Sequence, residues 1–194
     1  MIRKATLGDL DQIEAIRKSL VVDPSRLDDP TYAVKVQKEG FLLGTDDPHD
    51  MSAEIQNAFM FWVVEEQGEI LGYLIADHSS EQLYYDDEYK TWFDVDLKVA
   101  YYGSNSSMSL ATIAVKTQSS HQGVATMLLE HLKKELLIMQ FTHLFSIVTL
   151  GPVTNCASLI WHTRHGFKRL AMSRPRTLFG FDGHSAVLLY KKLV

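Results

Sequence analysis

The sequence predicts a mixed α/β fold built on a single sheet. Three observations carry this expectation. Residues 58–76 read as a β-hairpin, residues 108–150 run strand, helix, strand, and residues 154–193 add a short helix and further strands. No internal repeat or low-complexity segment interrupts that order. A length of 194 residues suits one domain, so 1–194 is expected to form one unit.

The elements follow in order. Residues 2–6 start a strand. Thr6 and Asp9 then stand at capping-box spacing, and Leu10, Ile13, Ile16 and Leu20 form one apolar helical stripe. From 21 to about 57 the periodicity is poor, broken by Pro24, Pro30 and Pro48, although a helix over 32–39 ended by Gly40 fits. Phe59 to Val64 is aromatic and β-branched, hence a strand. The polar turn 65–69 leads to a second strand over 70–76. Residues 108–115 make a third strand. A helix over 123–140 repeats Val124, Leu128, Leu132 and Leu136 every four residues. The apolar run 142–150 reads as an interior strand. Thr154 can cap a short helix that stops at Gly166. Strands over 167–172 and 186–193 complete the sheet, with 177–184 read as a loop between them.

Composition narrows the function. Apolar residues are 46% and charged residues 22%, which excludes a disordered or coiled-coil chain. One cysteine excludes a disulfide framework and a multi-cysteine metal site. A net charge of −5 opposes nonspecific nucleic-acid binding. No apolar run reaches the roughly 18 residues of a membrane span, and the first residues lack the apolar stretch of a signal peptide. A cytoplasmic protein with no nucleic-acid or membrane partner is the resulting expectation.

Chemistry enters at the junction between the strand ending at Val115 and the helix beginning near Gly123. The link Lys116-Thr117-Gln118-Ser119-Ser120-His121-Gln122 leads into Gly123-Val124-Ala125-Thr126. A helix N-terminus offers unpaired N–H groups and a partial positive charge, and slim residues let an anion come close. Neither a Walker loop nor Gly-x-Gly-x-x-Gly is present. On these residues alone the segment is either a phosphate cradle or an ordinary strand-to-helix loop.

A second segment, Asn155 to Phe167, settles the comparison. Together the two resemble the GNAT superfamily of acyl-CoA-dependent N-acyltransferases. In that family a strand leads into Gln/Arg-x-x-Gly-x-Gly/Ala, on which Ser120-His121-Gln122-Gly123-Val124-Ala125 falls with Ser120 in the first place. A later Asn-x-x-(Ala/Ser)-x-x-x-Tyr-x-x-x-Gly-Phe is matched by Asn155, Ser158, His162, Gly166 and Phe167, with His162 in place of Tyr. Ile2-Arg3-x-Ala5-Thr6-x-x-Asp9 and the hairpin with Gly68 and Gly72-Tyr73 also fit the family's start. The resemblance is poor over about 21–57 and 81–107, which read as variable insertions.

The resemblance implies a central, mostly antiparallel twisted sheet with flanking helices and a splayed pair of parallel central strands. It implies acetyl-CoA as co-substrate, no metal, and acetyl transfer to a primary amine of a small molecule, peptide or protein. The cofactor residues it implies are Ile113, Val115, Ser120, His121, Gln122, Gly123, Val124, Ala125, Thr126, Asn155, Ser158 and His162. The Ile113 N–H would polarise the thioester carbonyl, and the strand near Val115 would pair with the pantetheine arm. His162 would serve the leaving thiolate, which it can protonate only as imidazolium. The two departures leave open an acyl-CoA-binding regulator with little catalysis.

Other candidates are weighed on their residues. Asn155 either caps the short helix or contacts the cofactor. His162 and His165 stand one helical turn apart, but no third ligand accompanies them, so no metal is expected. Cys156 has no evident base partner and reads as a packing residue. No carboxylate lies on the strand 108–115 to act as general base. Asp77 ends the hairpin, and residues 81–102 hold Tyr84, Tyr85, Tyr89, Trp92, Phe93, Tyr101 and Tyr102 among acids such as Asp86, Asp87, Glu88, Asp94 and Asp96. Asp77, Tyr84, Tyr85 and Trp92 are the candidates for holding a cationic amine. The alternative use of this segment is packing on the domain, or an interaction surface such as a homodimer contact, with 177–184 as an opposite wall of the site.

Overall fold

Strand phase decides which face each segment buries, and the phases of neighbouring strands agree. A computed structural model describes residues 1–43, 51–78, 106–117 and 123–194. The strands are β1 (Ile2–Lys4), β2 (Met60–Glu66), β3 (Glu69–His78), β4 (Ser107–Val115), β5 (His143–Gly151), β6 (Lys168–Met172), β7 (Arg176–Leu178) and β8 (Phe181–Lys192). They form one sheet in the order β1-β2-β3-β4-β5-β8-β6, with β7 paired to β8. Every pairing is antiparallel except β4 with β5. This is the mixed, mostly antiparallel sheet expected, and its parallel pair lies at the centre.

The helices are α1 (Leu10–Leu20), α2 (Pro30–Glu39), α3 (Met51–Asn57), α4 (Val124–Ile138) and α5 (Cys156–Arg164). Ile13 and Ile16 of α1 and Met51 of α3 pack on Phe61, Val63, Tyr73 and Ile75, on one face of β2 and β3. Leu128, Leu129, Leu132 and Leu136 of α4 pack on Met60, Val64, Leu74 and Ala76 on the other. These four leucines are at most 1% exposed, and each such burial contributes roughly 1.5–3 kcal/mol. The four-residue repeat of the sequence therefore faces the sheet.

Several boundaries differ from expectation, each for a local reason. β1 ends at Lys4, because Ala5 donates its N–H to Phe61 and Thr6 turns the chain toward Asp9. Helix α2 begins two residues early: Asp29 accepts from Thr31 N–H at 2.8 Å and Pro30 fills the first helical position. Asn155, not Thr154, caps α5, and the Thr154 hydroxyl donates instead to Leu150 C=O at 2.6 Å. Helix α3 was not foreseen. Residues 177–184 are not an open loop: β7 pairs with β8 through Phe179 and Gly180, both at positive φ. Phe181 is buried there with Val22, Phe41 and Val153. The hairpin expected over 58–76 is present, but its turn is tighter than the 65–69 segment: Gln67-Gly68 alone turns the chain, both at positive φ, and Glu65, Glu66 and Glu69 pair in the strands.

Candidate functional site

The site turns on β4. Met108 and Leu110 face the core under α4, and so do Ile113 and Val115. The step from Leu110 to Ile113 is three positions rather than two, so the alternation slips by one. The register shows the extra residue: Thr112 opposes Ile75 and Leu110 opposes Ala76, which leaves Ala111 as a bulge. Pairing of β4 with β5 ends at this point. Leu110 opposite Ser146 is the last rung, with Ser146 Oγ 3.4 Å from Leu110 C=O. Beyond it β4 runs on to Val115 and β5 to Gly151 without pairing to each other.

The main chain along this gap has a defined orientation. Lys116 N–H donates to Leu71 C=O at 2.9 Å, continuing the β3 ladder. Hydrogen bonding alternates along an antiparallel ladder, so Ala114 and Thr112 also turn toward β3. Ile113 and Val115 therefore turn their N–H and C=O groups to the open side, where β5 supplies no partner. These are the two residues the sequence reading placed at the thioester and at the pantetheine arm.

The chain leaving β4 reaches Gly123 and α4. Gly123 adopts φ +75°, a conformation that suits glycine, and a Cβ there would meet nothing within 4 Å. Gly123, at the N-cap, has no side chain to cap the helix. Among the described residues the first-turn N–H groups of Val124, Ala125 and Thr126 have no side-chain capping acceptor, at the positive end of a helix of 15 residues. Ser120, His121 and Gln122 lie outside the described residues, as do Tyr84, Tyr85 and Trp92. Gly72 brings β3 against this turn: a Cβ on it would stand 2.8 Å from Ala114 C=O and 2.9 Å from Val124 Cγ1.

Helix α5 carries the second cluster. Asn155 is buried, accepts from Ser158 N–H at 3.2 Å, and donates to Phe41 C=O at 2.8 Å. His162 is 2% exposed. Its Nδ1 lies 2.8 Å from Ser158 C=O, and a carbonyl only accepts, so Nδ1 carries the proton. Its Nε2 is buried without a hydrogen-bond partner. Trp161 and Phe167 meet the ring edge-on at 4.9 and 4.8 Å. Desolvation pushes the imidazole pKa down from 6.5 to about 4, with the Ser158 hydrogen bond opposing only in part. The ring is neutral at pH 7, so the free protein lacks the imidazolium that proton donation needs.

His165 ties the two clusters together. Its Nε2 is 3.0 Å from Thr126 Oγ1 and its Nδ1 is 2.7 Å from Trp161 C=O. Nothing in the sequence marks this pair. Among the described residues no group of three or more His, Cys, Asp or Glu could hold a metal ion. Asp77 accepts from Phe59 N–H at 2.9 Å and stands opposite Ser109. It lies three residues along β3 from Leu74, the partner of Ile113, or about 10 Å along the strand. The two are not brought together by the sheet. A shallow cavity of about 250 Å³ on the α1 side is lined by Gln12, Ser19, Lys116 and Thr117.

The acetyltransferase (GNAT) family matches residues 25–167. Among solved structures, the ribosomal-protein-S18-alanine N-acetyltransferase of Escherichia coli superposes with a TM-score of 0.63 at 14% identity, covering 100% of this chain and 93% of that one. The ribosomal-protein-alanine N-acetyltransferase of Brucella melitensis gives 0.61 at 18% identity, with 99% of each chain covered. An aminoglycoside 6'-N-acetyltransferase complexed with coenzyme A gives 0.62 at 11% identity, covering 100% and 97%. At these identities the likeness is one of fold. None of the curated protein sequences matches the chain significantly.

Proposed function

This chain belongs to the acetyltransferase (GNAT) family, and from that premise we propose that it is an N-acetyltransferase that moves an acetyl group from acetyl-CoA to a primary amine. The acceptor is an amine of a small molecule, a peptide or a protein. The observation that carries the reading is the gap between β4 and β5, with the Ile113 and Val115 main chain turned into it. The first turn of α4, which no side chain among the described residues caps, follows the same end of β4.

In this reading the amine nitrogen attacks the thioester carbonyl carbon, the C–S bond breaks, and the amine's proton is lost as the thiolate leaves. The Ile113 N–H stabilises the carbonyl oxygen as it becomes an oxyanion. Val115 pairs with the pantetheine arm as an added strand would. Gly123, Val124, Ala125 and Thr126, with Ser120, His121 and Gln122 before them, hold the pyrophosphate. Asn155 and Ser158 border the cofactor arm while capping α5. His162 faces the departing sulfur; the negative charge formed there would raise its pKa, so that Nε2 takes up the amine's proton relayed through water and passes it to the thiolate. Asp77, Tyr84, Tyr85 and Trp92 are assigned to the acceptor, and water carries the amine's proton away because β4 offers no carboxylate.

Calorimetry with acetyl-CoA tests the reading directly: micromolar binding is expected, and no heat at millimolar ligand would refute it. One observation favours a second reading. With His162 neutral and buried, an acyl-CoA-binding regulator would bind the thioester without turnover. A thiol-release assay across pools of amines separates the two, since only an enzyme frees CoA in step with the acceptor.

A further inference from the structure

We propose that His165 is a positioning residue for the cofactor cradle, locking the first turn of α4 to α5 through Thr126. This rests on the reading of that turn as the pyrophosphate site. Thr126 is the third residue of α4, so its N–H belongs to the group left unpaired at the helix start. Its hydroxyl is 3.0 Å from His165 Nε2. The direction of this bond follows from the other ring nitrogen. Nδ1 lies 2.7 Å from the Trp161 carbonyl, which can only accept, so Nδ1 holds the proton. In the neutral ring Nε2 is then the acceptor, and Thr126 donates to it. The hydroxyl is thereby committed to His165 and presents a lone pair, rather than a proton, to its surroundings.

The histidine itself is held on three sides. Its ring lies tilted against Trp161 at 4.4 Å and 35°, its main-chain N–H donates to the Trp161 and His162 carbonyls at 3.1 Å, and Lys191 Nζ donates to its carbonyl at 2.8 Å. It stands at the C-terminus of α5 and is anchored to β8, so it can serve as a fixed post. Among the described residues, Thr126–His165 is the side-chain hydrogen bond that joins α4 to α5. A cradle built from main-chain N–H groups depends on where the helix start sits, and an error near 1 Å is costly. The bond lies at the anion end of the site rather than at Ile113. Its loss should therefore weaken cofactor binding and leave the acyl-transfer step alone.

The test uses acetyl-CoA titrated into the full chain by calorimetry, with thermal melts as a folding check. His165→Phe keeps a ring against Trp161 and removes the acceptor, Thr126→Val removes the donor at equal size, and His165→Gln can place an acceptor where Nε2 was. A single neutral hydrogen bond is worth roughly three- to tenfold in affinity. His165→Phe and Thr126→Val should each raise Kd by about that factor, the double variant should be no weaker than the weaker single, and His165→Gln should recover most of the loss. The proposal is overturned if the single variants bind like wild type, if their effects add fully, or if His165→Gln is as weak as His165→Phe. Wild-type protein that binds no acetyl-CoA would remove the cradle itself, which is distinct from normal binding that ignores His165.

Discussion

At His162 a side chain's role depends on its protonation, and burial decides that. The unfolded chain titrates this histidine near 6.5 and the folded protein near 4. Between those values the unfolded state binds more protons, so stability is fully present above about pH 6.5 and is lost as the pH falls toward 4. The shift corresponds to about 3 kcal/mol. Thermal melts between pH 7.5 and 4.5 should show wild type losing stability more steeply than His162→Phe, and parallel curves would contradict the assignment. The same variant should lower turnover while leaving acetyl-CoA affinity within about twofold; unchanged turnover would take His162 out of the mechanism. Gly123 behaves differently. Open space surrounds it, so Gly123→Glu should cost only about 1–2 kcal/mol in stability through its left-handed backbone. A carboxylate beside the helix start should nevertheless reduce acetyl-CoA affinity at least a hundredfold, and retained affinity would mean that the anion site lies elsewhere.

Strand β4 shows how one residue shapes an element. Its apolar phase, Met108 and Leu110 and then Ile113 and Val115, contains the bulge at Ala111 in plain sequence. A break in a period-2 pattern marks such an extra residue. The direction of the main chain beyond it was not legible, because it depends on a rung to Leu71 set by the β3 register. At the same element Gly72 lets β3 approach both β4 and α4. A methyl group at 2.8 Å from Ala114 C=O and 2.9 Å from Val124 Cγ1 forces one of them to move. Gly72→Ala should destabilise by about 1–3 kcal/mol. It should also weaken acetyl-CoA binding, since Val124 opens the turn proposed to hold the pyrophosphate, and a variant as stable as wild type would show that the contact relaxes freely. Helix α5 is legible from a capping residue at its start and Gly166 at its end, yet its cap is Asn155 rather than Thr154, because the Thr154 hydroxyl donates to Leu150 C=O. Both residues are good N-caps, and local propensity does not choose between them.

Across the whole molecule, distant segments meet at shared posts. Arg3 holds Asp9 through two bonds of 2.7 Å and Glu65 through one of 2.6 Å, joining β1, the α1 start and β2. Arg3 is the main reason that the Asp9 carboxyl is held down at about 2. Because the proposed cofactor site spans β4, α4 and α5, ligand should stabilise the fold as a unit. At a hundred times Kd, acetyl-CoA adds about 2.7 kcal/mol, or roughly 5–10 °C in Tm for a chain of this size. A melt that does not respond to saturating acetyl-CoA would argue against a preformed site.

The sequence by itself determined most of the order of strands and helices, though not α3 or β7, the β-hairpin with its turn within 65–69, the family resemblance and the segment proposed as the cofactor loop. These are written in periodicity, turn residues and motif spacing, all of which act over a few neighbouring positions. Only the tertiary structure decided which main-chain groups face the gap between β4 and β5. It also decided that His162 is neutral and that Thr126 and His165, 39 residues apart, share a hydrogen bond. Those properties depend on register, desolvation and the meeting of remote elements, and no local pattern in a chain encodes them.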